Sequence, residues 1–235
     1  MKLEKIILVL LLLLVAAYFC SIFFLPGTKV VFYLKPLFIP IFLLYAILKN
    51  GFVFPKSYFL FVLFFYIGQT LMLFCDNSGI FLQFALIFYA LFYSALINLA
   101  LPEIRGRYLK KIFTGLTAFV ISLNAFFLFL IVYIMFETTT DTITNFIAIA
   151  NAIAALILMI CAVIYMSIDA SKKSFLYFIG AMTLILSDVF SAINAYYLYV
   201  FTLNILELIL HFFGFYLIYL FILEKVKPDE NDFLA

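Results

Sequence analysis

Asp188, Glu207 and His211 are side chains of the types that give and take protons, and each lies inside an otherwise apolar run. Asn204, Glu207 and His211 step by three and then four residues, so a helix carries all three on one face, as it approximately does Asp188, Ser191 and Asn194. Ser187 adjoins Asp188, and Lys35, Gln69 and Gln83 are further polar groups in hydrophobic surroundings. An ionisable group at membrane depth costs at least about 2.5 kcal/mol on insertion scales, which makes each one a functional candidate. The chemistry open to such a set is acid–base work, in which one group delivers a proton and another draws one from water.

Each of these residues also has a plain structural use. Lys35 lies about 8 Å along its helix from the nearer expected end and can snorkel to the headgroups, or it can turn inward and pair with an acid. Glu207 is close enough to a helix end to reach water. His211, the only histidine, fits a hydrogen-bonded packing role as well as a catalytic one. Asp188 is too deep to snorkel easily, so a site or a buried partner is expected for it. Asn98, Asn124 and Asn151 are expected to hydrogen-bond between helices.

Other chemistries find no support. The chain has no phosphate loop, nucleophile elbow or histidine pair at metal-ligand spacing, so neither a metal nor a cofactor is expected. Cys20, Cys75 and Cys161 are far apart and sit in or at the ends of apolar stretches, where they read as small hydrophobes. A net charge of +2 and scattered basic residues leave no footprint for nucleic acid.

The elements that position these residues must be membrane helices. With 69% hydrophobic and 11% charged residues, the chain cannot build a water-facing exterior, and its surface has to meet hydrocarbon. Lapses in hydropathy at about 20-residue intervals predict an all-α, polytopic transmembrane bundle of eight helices, over 6–25, 30–48, 57–74, 80–99, 112–136, 146–166, 175–201 and 203–223. A single domain is expected over 1–235, with a short tail from 224. The first run reaches nearly bilayer length without a small-residue cleavage site and reads as a retained span. Turn chemistry marks the gaps at Pro26-Gly27, Asn50-Gly51, Asp76 to Gly79, Pro102 and Thr138 to Thr144. The weakest break lies between the last two spans, near Thr202.

Twelve of the fourteen basic residues fall at the N-terminus, in the second, fourth and sixth loops and in the tail. That bias predicts both the N-terminus and the C-terminus in the cytoplasm. The expected topology brings Lys35, Gln69, Gln83, Asn194, Asn204 and Glu207 to the outer half of the membrane, with Asp188 near the midplane and His211 between, so that they could share one cavity.

Several segments resemble the YhhN family of eight-span membrane proteins, whose characterised members are lysoplasmalogenases. The resemblance rests on Leu34-Lys35-Pro36-Leu37, Gly68, Gly79, and Ile179-Gly180-Ala181 leading to Leu186-Ser187-Asp188. It implies hydrolysis of the vinyl ether of a lysoplasmalogen, releasing a fatty aldehyde and a glycerophospho-alcohol. In that reading Asp188, Glu207 and His211 are catalytic, while Lys35, Gln69, Ser187, Ser191 and Asn194 bind substrate. The chain departs from the family at Gly68-Gln69, where Gly-Asp is usual, in the 84–93 stretch, which lacks the family's histidine, and at Phe215, which replaces a glutamine.

Two functions therefore compete: a lysoplasmalogenase-like lipid hydrolase, and a lipid-binding or transport protein that keeps the fold without the chemistry. A solute carrier has little support, since no inverted repeat is evident. The expected partners are a membrane lipid or lysolipid and the bilayer itself, and the expected location is a bacterial cytoplasmic membrane.

Overall fold

The computed structural model describes residues 3–24, 29–51, 54–75, 79–104, 115–139, 141–196 and 200–226. These form eight helices: α1 (Leu3–Phe24), α2 (Lys29–Asn50), α3 (Lys56–Met72), α4 (Gly79–Ile104), α5 (Gly115–Thr138), α6 (Thr142–Ile168), α7 (Lys172–Tyr196) and α8 (Phe201–Val226). No strand occurs among the described residues. Six helices, α1 and α4 to α8, are long and apolar enough to cross a membrane, and α3 is a shorter apolar helix. Large side chains such as Leu13, Phe129 and Phe146 are more than 60% exposed, a surface suited to hydrocarbon.

Local chemistry sets the helix ends. Gly51 closes α2 with φ 73° while its N–H donates to the Ile47 carbonyl at 2.7 Å, the left-handed C-terminal cap that glycine adopts without a steric penalty. Asp141 caps α6 by accepting from the N–H groups of Ile143 and Thr144, both at 3.2 Å. Ser171 serves α7 in the same way, accepting from the Ser174 N–H at 3.3 Å.

Several expectations from hydropathy are corrected here. Pro102 does not end its helix; α4 continues to Ile104. Pro102 has no N–H to give the carbonyl four residues back, and α4 ends two residues after it. The seventh span stops at Tyr196, and Phe201 begins α8 rather than ending α7. α8 runs through Glu224 and Lys225, so the tail begins later than 224. The breaks expected at Pro26-Gly27 and Asp76 to Ser78 lie outside the described residues, as do Lys2, Arg105, Arg107, Lys110, Lys111 and Lys227.

By packing, the chain divides into two compact units, Met1–Phe92 and Tyr93–Ala235, with the boundary inside α4. In the first unit α1 packs on α2 and α2 on α3. Phe61 of α3 stacks on Phe92 with ring centroids 5.1 Å apart, and Phe65 packs on the same ring at a tilt, with centroids 5.0 Å apart.

The second unit is centred on α7 and α8, its most extensively packed pair. Close approach there depends on glycine. A Cβ at Gly180 would lie 2.9 Å from Ile218 Cδ1, and one at Gly214 would lie 2.7 Å from Leu184 Cγ. Small residues that let backbones approach drive helix association in lipid, where burial alone gains little. Tyr165, Tyr177 and Phe221 form an aromatic cluster joining α6, α7 and α8.

Candidate functional site

The part of α4 over 93–104 presents one face to α7 and α8, and each contact follows from a step of three or four residues. The Tyr93 hydroxyl donates a short hydrogen bond to Asp188 Oδ2. Three residues on, the Leu96 carbonyl accepts from the buried Tyr177 hydroxyl at 2.8 Å. The Leu99 carbonyl accepts from Lys225 Nζ at 2.8 Å, and the same ammonium pairs with Glu103 at 3.2 Å. A cation on the final carbonyls of a helix complements its dipole.

Asp188 lies eight residues before the end of α7, about 12 Å in from that terminus at 1.5 Å per residue. Glu207 and His211 lie roughly 9 and 15 Å in from the start of α8, which is the same end of this unit. The three therefore share one polar layer. Within it the Ser187 hydroxyl donates to the Glu207 carbonyl at 2.9 Å and lies 3.4 Å from His211 Nδ1. A serine has one proton to give, so with that proton on the carbonyl its oxygen is left as an acceptor for a protonated Nδ1. The His211 ring also packs on Phe215, with centroids 5.1 Å apart.

Accessibility separates these groups. Ser187, Glu207 and His211 are all at most 4% exposed. Their bonds tie α7 to α8, as polar side chains do in membrane bundles. Asp188 is only partly buried, and so are Ser191 and Asn194 on the following turns of α7. Asn194 Oδ1 accepts from the Val200 N–H at 3.0 Å, which holds the start of α8. Its Nδ2 is buried without a hydrogen-bond partner among the described residues.

Lys35, Gln69 and Gln83 belong to the first unit. Lys35, on α2 one residue before Pro36, is half-buried. Gln69 is buried on α3, next to Gly68, where a Cβ would meet the Tyr89 ring at 3.3 Å. Asn124 turns its amide back onto the Val120 carbonyl of its own helix at 2.9 Å, not onto a neighbouring helix as expected. Among the described residues no three His, Cys, Asp or Glu side chains converge as a metal site.

Tyr93 is the participant that sequence reasoning missed. It is 2% exposed and one of 16 tyrosines. Nothing local to it points to an aspartate 95 residues away. Comparison with protein-family models, with curated proteins and with solved structures gives no match to this chain.

Proposed function

We propose that this integral membrane protein crosses the bilayer eight times with both ends in the cytoplasm, and that it hydrolyses the vinyl ether of a lysoplasmalogen or related lysolipid at the Asp188 layer. The observation that carries the enzymatic reading is the Tyr93–Asp188 pair. It puts a carboxyl, oriented by a phenol, on a partly accessible face within a lipid-embedded helix. Tyr93 closes the 84–93 stretch, in which the resembled family has a histidine, so a second hydrogen-bonding group accompanies the aspartate despite that loss.

The chemistry needs few groups. Protonated Asp188 delivers its proton to the enol-ether carbon remote from oxygen, leaving an oxocarbenium ion. Water adds to that ion and gives up a proton, for which Glu207 and His211 are the candidate acceptors. The resulting hemiacetal breaks its C–O bond to the glycerol oxygen, which takes the proton held by that acceptor, while the hemiacetal hydroxyl returns a proton to Asp188, yielding aldehyde and glycerophospho-alcohol. General acid catalysis of this kind is worth about 10²- to 10⁴-fold. Purified protein in detergent, incubated with lysoplasmalogen, is expected to release fatty aldehyde.

A second reading, lipid binding without turnover, is favoured by the commitment of Ser187 and His211 to the α7–α8 lock and by Gln69 where the family has an acid. Saturable lysolipid binding with no aldehyde would select it.

The topology is tested separately, on a background lacking Cys20, Cys75 and Cys161, which are all free thiols. Single cysteines introduced at positions 78 and 139 are expected to react with an impermeant maleimide from outside, and one at position 107 only after permeabilisation. Outside labelling at 107 would overturn the assigned orientation.

A further inference from the structure

We infer that the groove between α2 and α3 holds an acyl chain of an anionic phospholipid, with the headgroup on Lys56. The groove has a cavity volume of about 520 Å³, and its walls, among them Ile39 and Leu43 of α2 and Leu60, Leu63 and Tyr66 of α3, are almost entirely apolar. Lys56 is the only charged group in that lining among the described residues. Leu60 and Leu63 are 43% and 49% exposed, so the groove opens outward instead of being filled by the protein's own core.

Charge and length together select the occupant. Lys56 is the first residue of α3, so its ammonium coincides with the positive end of the helix dipole, and both favour an anion. Lys49, in the last turn of α2 at the same end, does not line the groove; its ammonium lies 5.5 Å from the Tyr45 ring centroid. From Lys56 to Tyr66 the groove follows α3 for about 15 Å, half of the roughly 30 Å hydrocarbon core. That is the depth of one leaflet, which suits an acyl chain hanging from a headgroup and is too short for a spanning helix of a partner protein. In the topology proposed above this end faces the cytoplasm, where the leaflet is rich in anionic lipid. The chemistry at Asp188 is not involved.

The chain contains no tryptophan, so Leu63→Trp gives a single fluorescent reporter inside the groove. The full-length variant would be placed in phosphatidylcholine vesicles with a minor phosphatidylglycerol fraction, with bromine on the chains of one lipid or the other. Brominated phosphatidylglycerol is expected to quench about five-fold more per mole than brominated phosphatidylcholine, the preference one lysine gives near an anionic surface. Lys56→Gln should abolish the difference, and Asp188→Asn should leave it intact, which separates this site from the proposed hydrolytic one. Should Leu63→Trp fail to fold, native mass spectrometry of the unaltered protein and of Lys56→Gln, offered both lipids in equal amounts, reads the same preference. Equal quenching or equal retention of the two lipids, or a preference that survives Lys56→Gln, would overturn the inference.

Discussion

Asp188→Asn is expected to lower aldehyde release from a lysoplasmalogen by about 10²- to 10⁴-fold, the worth of a positioned general acid. The substitution keeps the shape of the side chain and an oxygen that can accept from the Tyr93 hydroxyl, so the contact between α4 and α7 survives while the transferable proton is lost. Tyr93→Phe removes only the orienting bond, and its expected effect is smaller, on the order of 10-fold. Initial rates of aldehyde formation and detergent melting curves, taken on the same preparations, separate the two roles. If Asp188→Asn turns over at the unaltered rate, Asp188 is not the acid. If melting falls together with activity, the pair is a structural bond in the second unit and the lipid-binding reading gains.

The second large effect is on stability. Gly214→Ala is expected to destabilise the protein by about 1–3 kcal/mol, the usual cost of overpacking a well-filled contact. Two effects oppose each other at this position. Alanine in a helix interior is favoured over glycine by roughly 0.5–1 kcal/mol, but the added methyl would lie 2.7 Å from Leu184 Cγ and 2.9 Å from Thr183 Oγ1. Leu184 is 1% exposed and the atom struck is its branch carbon, so it cannot swing clear, and the clash wins. Gly79→Ala is the control, because nothing lies within 4 Å of a Cβ at that position. Its melting temperature should not fall. Combining Gly214→Ala with Leu184→Ala opens room for the methyl, so the double variant should lose less than the two single losses added together. Full additivity would mean that the α7–α8 approach at Gly214 is looser than described.

Composition and periodicity by themselves determined that this chain is helical and suited to lipid, and nearly where each helix lies. The reason is that a bilayer demands long apolar runs with internally satisfied backbones, a requirement written locally in every segment. Where hydropathy misjudged an end, a cap decided instead: Asp141 draws Thr142 and Thr144 into α6, and Ser171 draws Lys172 into α7, although these polar residues lower the local hydropathy. The join between α7 and α8, barely visible as a lapse in hydrophobicity, is spanned by the Asn194 to Val200 hydrogen bond. Spacing likewise put Glu207 and His211 on one face of α8.

Only the tertiary structure decided what those faces meet. That Ser187 donates to the backbone of Glu207 and not to a substrate, that His211 supports that lock, and that a tyrosine from α4 orients Asp188 are consequences of helix packing between segments 20 to 95 residues apart. One helix face with polar residues at three- and four-residue steps fits a lock and a catalytic layer equally well in sequence. The approach of the α7 and α8 backbones at Gly180 and Gly214 sets which neighbours come within hydrogen-bonding reach, because such a bond forms only within about 3 Å and pattern along a chain carries no distance between helices.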